Sequence, residues 1–234
     1  SAEEIERNIV ELLRRLAIAG NGERRDLLPQ LAQAYGLYGR FDDALRILKE
    51  VHDRDPDDPA IQRRLGLALM RTGEWHRGME LYDAGRWRLA QLDAVFRPFP
   101  QPTWCGQPIA GKRLLLWAEQ GIGDQIMQVR ALSAILAQGA EITLEADPRI
   151  FPLVRRTHPE IACVPQTTQP APELMAGAFD FQGSLLSAWR WMPECLETKQ
   201  HVPYLEPDRL LSARFADAWR RFGWPLNVGL SWQS

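Results

Sequence analysis

The chain has 234 residues, of which 45% are apolar and 25% charged, with a formal net charge of −2. This is ordinary globular composition, long enough for one large domain or two small ones. The near-neutral balance calls for neither nucleic acid nor an anionic membrane surface as a partner.

Residues 3–19 carry Ile5, Ile9, Leu12, Leu13 and Leu16 at helical spacing, which predicts a helix. A repeat follows. Shifting residues 31–48 by 34 positions superimposes Leu31, Ala32, Tyr35, Gly39, Phe41, Ala44 and Leu48 on Leu65, Gly66, Leu69, Gly73, Trp75, Gly78 and Tyr82. Pro56 closes the first copy. The pattern resembles the tetratricopeptide repeat, two helices per unit. Small residues (Ala32, Ala44, Gly66, Gly78) stand where helices cross closely. Gly39 and Gly73 stand where the first helix of each unit must stop. Two copies are few for a stack, so the repeats are expected to lean on a neighbour, through Tyr82, Trp87 and Leu89. Their function is either a groove for a protein partner or a buttress for the next domain.

FRPFPQPTWCGQP holds four prolines and reads as a linker over 95–108. KRLLLWAE is apolar without alternation, as a buried parallel strand requires. Then comes the loop EQGIGD and a helix over 124–138, with Ile126, Val129, Leu132, Ile135 and Leu136 on one face and Gly139 ending it. AEITLEA and IACVP read as strands, separated by a short helix in PRIFPLVRRTH. TTQPAPELMAG reads as a loop, AFDFQGSL as a strand and SAWRWM as a short helix. DRLLSARFADAWRRFG is amphipathic, with Leu210, Leu211, Phe215, Ala218, Trp219 and Phe222 expected to face inward. NVGLSW reads as a last strand. The alternation predicts a doubly wound parallel sheet. The expected fold is thus α plus α/β: helical repeats over 1–94, the linker, and a Rossmann-like lobe over 109–234.

EQGIGD falls at the carboxyl end of the first strand, the address of ligand sites in such sheets. It is an incomplete dinucleotide fingerprint: the third glycine is missing, although Glu145 and Asp147 lie near the distance of the ribose-binding acid. There is no Walker lysine. Asp124 has two readings, a helix N-cap or a general base that takes a proton from an acceptor hydroxyl. Gly121 and Gly123 leave room for an acceptor. Trp189 and Trp191 are either sugar-stacking platforms, with Arg190 between them, or packing residues. Ser184 and Ser187 have no His–acid partners nearby in sequence, so no hydrolase triad is expected.

Cys105, Cys163 and Cys195 fit neither a zinc spacing nor a disulfide framework, and His52, His76, His158 and His201 are scattered. No metal and no cofactor is expected, and the sparse cysteines fit a reducing cytoplasm. Neither a membrane span nor a signal peptide is predicted.

The stretch WCGQPIAGKRLLLWAEQGIGDQIMQVR resembles bacterial tetratricopeptide-repeat proteins with a glycosyltransferase domain, whose tail is similar to the heptosyltransferases of lipopolysaccharide core synthesis. Repeats joined to a sugar-transfer domain also resemble the O-linked N-acetylglucosamine transferases. The resemblance implies a GT-B architecture of two Rossmann-like lobes. It implies that Asp124, preceded by Gly123, is the acceptor-side catalytic residue, with Gln120, Gly121, Gln125 and Arg130 as substrate-binding candidates. VGLSW would begin the donor lobe, which binds the sugar nucleotide, and the sequence ends at Ser234. The expected function is therefore the acceptor-binding half of a sugar-nucleotide-dependent transferase, inactive alone, with a sugar or protein acceptor and a protein partner in the repeat groove. The alternative is a non-catalytic repeat interaction module with a degenerate α/β scaffold.

Overall fold

A computed structural model describes residues 2–90, 97–192 and 203–223. Five helices come first: α1 (Ala2–Ile18), α2 (Asn21–Leu37), α3 (Phe41–Arg54), α4 (Pro59–Arg71) and α5 (Trp75–Ala90). In α1, Ile9, Leu12 and Leu16 are buried as the spacing requires, whereas Leu13 lies on the exposed side. Gly39 and Gly73 end the first helix of each pair with φ of +82° and +92°, which a side chain would strain. The side chain of Asp58 caps α4 by accepting from the amides of Ala60 and Ile61.

The α4–α5 pair is the tightest packing in the arm. A Cβ on Gly66 would stand 2.6 Å from the Gly78 carbonyl oxygen and 2.7 Å from Tyr82 Cα. Gly85, which the repeat comparison does not reach, meets the backbone of Pro59 and Arg63 in the same way. The glycine side of α5 faces α4. Its other side, with Met79, Tyr82, Asp83, Arg86 and Trp87, faces the sheet lobe. Leu89 is half-buried.

The lobe holds β1 (Arg113–Trp117), α6 (Ile122–Gln128), α7 (Ala131–Ala137), β2 (Glu141–Ala146), a 3₁₀ turn (Pro148–Ile150), α8 (Phe151–Thr157), β3 (Ala162–Pro165), α9 (Pro172–Ala176), β4 (Phe181–Ser184), α10 (Leu185–Trp191) and α11 (Arg209–Arg220). All four strands are parallel, in the order β3-β2-β1-β4. Leu114, Leu115, Leu116 and Trp117 are buried, which is why β1 shows no alternation.

Four expectations are corrected. The helix expected over 124–138 is two short helices, because the chain tightens at Val129 and Arg130 into i→i+3 bonds, Arg130 N–H to Met127 O and Leu132 N–H to Val129 O. The stretch expected as a loop contains α9, started by Pro172 at a first-turn position. The proline-rich segment is more than a linker over its described part, 97–108. Trp104 N–H donates to Gln182 O, and Gln182 N–H donates to Pro102 O, so the segment lies along the free edge of β4. Finally, α11 forms, capped by Asp208, but it buries no residue. Leu210, Leu211, Phe215, Trp219 and Phe222 are all exposed and Ala218 is not buried either. Amphipathicity specified the helix and not a neighbour among the described residues. The strand expected at NVGLSW, with Trp232, lies outside the described residues, as do Cys195 and His201.

Among the described residues no helix is long and apolar enough to cross a membrane. None of their His, Cys, Asp and Glu side chains gather into a group able to hold a metal.

Candidate functional site

The carboxyl edge of the sheet carries two buried glutamates, and each meets an arginine brought from outside the lobe. Glu119 follows β1. Its carboxylate pairs with Arg86 Nη1 from α5 and accepts the Ser184 hydroxyl from the end of β4. Arg86 is itself held by Asp83 through Nε at 2.9 Å and by Ser187 Oγ through Nη2 at 2.6 Å. Ser187 donates to Asp83 Oδ1 at 2.7 Å and accepts from Trp87 Nε1 at 3.1 Å. The guanidinium also sits 4.6 Å from the Trp87 ring centroid. The bonds of Arg86 to Glu119 and Ser187, of Trp87 to Ser187 and of Ser187 to Asp83 all cross between the helical arm and the lobe. Burial pushes the Glu119 carboxyl above its ordinary range; the Arg86 charge and hydrogen bond pull it back, and Asp83 adds to the rise.

Glu145, in β2, is the second. It is fully buried and pairs with Arg97 of the proline-rich segment through Nε at 2.9 Å and through Nη2. Arg97 Nη1 also donates to Thr167 O at 2.7 Å. Burial raises this carboxyl too, against the Arg97 hydrogen bond and charge. A ribose-binding acid needs a free carboxylate, and this one is spent on the pair. Asp147 is occupied as well: it caps the 3₁₀ turn and pairs with Arg149, whose hydrogen bonds hold its carboxyl down at about 2.

The EQGIGD loop begins on this knot. Gln128, fully buried in α6, donates to Glu119 O at 3.0 Å and clamps the loop from below. Gln120 takes φ = +67°, rare for a residue with a Cβ, and its amide donates to Tyr82 Oη on α5 at 3.1 Å. Gly121 is the N-cap of α6, one turn earlier than the capping reading of Asp124 had it. Asp124 stands at the third helical position, where Oδ2 accepts the Gly121 N–H at 3.1 Å. Asp124 is half-buried; Gly121 and Gly123 are exposed, and a Cβ on Gly123 would meet nothing. Gln125 is buried and structural in its contacts: its side chain accepts from Asp147 N–H at 3.0 Å and donates to Gln120 O at 3.4 Å. The Arg130 guanidinium carbon lies 5.9 Å from the Tyr204 ring centroid. Hydrogen bonds thus link Gly121 with Asp124 and Gln120 with Gln125.

Beside the knot, a cavity of about 280 Å³ is lined by Trp87, Trp104, Trp191, Cys105, Ser187 and Arg190, among others. Asp124 is not part of its lining. Trp191 half-faces it and packs over Gly106, while Trp189 is a core residue whose indole donates to Gln128 O. The packing reading therefore holds for Trp189.

Sequence inspection missed Arg86, Arg97, Asp83 and Glu119. One signal was available: charged residues inside otherwise helix- or strand-like apolar surroundings, as in LYDAGRWRL and LWAEQ. Pairing between residues 33 and 48 positions apart is invisible without the fold.

Residues 37–91 match a family described as "Tetratricopeptide repeat". A curated relative, "Protein FlbA" of Caulobacter vibrioides (strain ATCC 19089 / CIP 103742 / CB 15), is 30% identical over 199 residues, covering 76% of this chain and 32% of the relative. The chain thus spans about a third of the length of that relative. No solved structure matches. The chain combines tetratricopeptide-like helical repeats with a small parallel four-stranded sheet in a mixed α/β lobe.

Proposed function

We propose that the chain recruits a protein through its repeat arm and presents it to an α/β lobe that is the acceptor-side half of a GT-B type sugar transferase. The repeats themselves favour a protein partner. One observation carries the coupling of the two parts: the buried Arg86–Glu119 pair with Ser184 and Ser187, which fastens the last arm helix to the carboxyl ends of β1 and β4. A partner lying on the arm is then held at a set distance from EQGIGD.

The lobe reading rests on strand order. In the order 3-2-1-4 the chain leaves β1 for β2 and β3 on one side and then returns past β1 to place β4 on the other, so the switch point lies between β1 and β4. In this proposal the Glu119 knot forms the floor of that crevice, and Asp124, on the loop that follows Glu119, lies at its rim. In this reading Asp124 is the general base; Gln120, Gly121, Gly123 and Gln125 shape its surroundings, and Arg130 contributes from farther along the chain. A nucleotide sugar enters only with a donor lobe.

A scaffold without catalysis is the second reading, favoured by the Asp124 carboxylate accepting the amide of its own loop. Transfer of sugar from a panel of sugar nucleotides to a co-purified protein, by the native gene product, separates the two. Asp124→Asn retains an oxygen for the Gly121 amide. On the transferase reading it abolishes transfer and leaves the melting temperature unchanged. Asp124→Ala also loses the cap, about 1 kcal/mol. Partner capture with no transfer from any donor supports the scaffold instead.

A further inference from the structure

We propose that the groove between α2 and α4 binds an acidic peptide segment carrying large apolar side chains. This names the chemistry of the protein partner and rests on the recruiting role proposed above.

The groove has a volume of about 370 Å³, and its lining holds three arginines, Arg63, Arg64 and Arg71, and no acid. Many arginines elsewhere on the arm are engaged, among them Arg25 with Asp55, Arg40 with Asp43, Arg54 with Glu50 and Arg24 with Leu16 O, and what sets the groove apart is that three arginines gather there beside exposed apolar side chains. Arg63 and Arg64 have neither an ion pair nor a hydrogen bond among the described residues, and Arg71 has only the Phe41 ring, 5.5 Å from its guanidinium carbon. Gly36 of α2 faces this group at ordinary contact distance, a Cβ there lying 3.5 Å from Arg71 Nη1.

The same groove leaves Leu37, Phe41 and Leu67 exposed, at 68%, 41% and 38%. Single exposed apolar side chains are unremarkable; three in one groove beside three uncompensated positive charges are a matched set. Guanidinium groups bind carboxylates in bidentate fashion, and a carboxylate brought in by apolar anchors is attracted in a partly desolvated setting. Nucleic acid fits less well. The chain is acidic overall, and the groove's one aromatic ring already faces Arg71, leaving no free platform for a base.

Fluorescence anisotropy with short synthetic peptides tests this. The probes alternate Glu and Asp with Leu and Phe; one counterpart has Lys for the acids, another Ser for the apolar residues, and a single-stranded oligonucleotide completes the set. The acidic amphipathic peptide binds, and added salt weakens it. Replacing all three arginines by Glu raises Kd at least about tenfold, equivalent to about 1.4 kcal/mol. Replacing them by Gln raises Kd by less, and Arg14→Glu on α1 leaves it unchanged. Matching urea midpoints show that the variants are folded. Absence of binding, equal binding of either counterpart, tighter binding of the oligonucleotide, or a Kd indifferent to the arginines overturns the proposal. Missing sugar transfer with peptide binding intact overturns only the transferase reading. Loss of peptide selectivity, with transfer intact, overturns only the groove's acid preference.

Discussion

Arg86→Ala removes the one cation that the Glu119 knot is built around. Glu119 and Asp83 are 7% and 3% exposed, so water does not replace the guanidinium. Breaking a buried pair from one side costs about 3–5 kcal/mol, because the surviving charge stays buried. That is a large share of the roughly 5–15 kcal/mol stability of a folded domain. The sign of the pH dependence follows from Glu119. Its folded pKa is raised above 4.5, so the folded state holds this proton more tightly than the unfolded one. Its contribution is fullest below the unfolded carboxylate value and declines as pH rises through the folded one. Removing Arg86 takes away both influences that lower the pKa, and the shift grows. Lowering the pH from about 7.5 to about 5.5 then recovers at most about 2.7 kcal/mol, from 1.36 kcal/mol per pH unit and proton. Glu119→Gln on the Arg86→Ala background gives a similar recovery at neutral pH, since the amide oxygen still accepts from Ser184. Urea unfolding followed by circular dichroism, as a double-mutant cycle at both pH values, measures this. Arg86→Ala losing the same stability at both pH values, and equally in the Gln background, refutes an electrostatic junction.

Gly66→Ala forces a Cβ to within 2.6–2.7 Å of the Gly78 and Tyr82 backbone, well inside the ~3.5 Å of ordinary contacts, so α4 and α5 must part. Overpacking outweighs the helix-propensity gain of about 1 kcal/mol, and a net loss of roughly 1–3 kcal/mol is expected in thermal unfolding. Gly36→Ala, with a single ordinary contact to a flexible Arg71, is expected to stabilise by about 0.5 kcal/mol in the same assay. Glu145→Gln removes a second contribution that falls as pH rises above 4.5, so stability measured against pH becomes flatter in that range. Leu211→Glu and Phe215→Glu on the exposed side of α11 change stability by less than about 0.5 kcal/mol; a loss of several kcal/mol would mean that this face is covered in solution.

Much of the local structure was written in short-range pattern. The turn glycines Gly39 and Gly73 and the unbroken apolar run of β1 are each set by residues a few positions apart, and the repeat is the same local pattern recurring after 34 residues. Helical crossing points were readable at Gly66 and Gly78, which lack the Cβ that would keep two backbones apart, whereas the third close approach, at Gly85, lies outside the repeat comparison. Function was less legible. EQGIGD was placed at a strand's carboxyl end, yet its cap proved to be Gly121, because the loop turns at Gln120 before the helix begins. Amphipathicity likewise misled for α11: a hydrophobic stripe records that a helix has a face to bury and carries no address for the partner.

The amino-acid order by itself determined where most of the helices and strands form, for hydrogen-bonded turns and side-chain periodicity are local properties of the backbone; it missed the short α9 and the break between α6 and α7. Only the tertiary structure decided that Arg86 and Arg97 would neutralise Glu119 and Glu145, and so that the arm and lobe share one buried junction. A charge reads the same in sequence whether it meets water or a counter-ion. Its role is set by the dielectric around it and by the groups within a few ångströms, and those come from chain segments far apart in sequence.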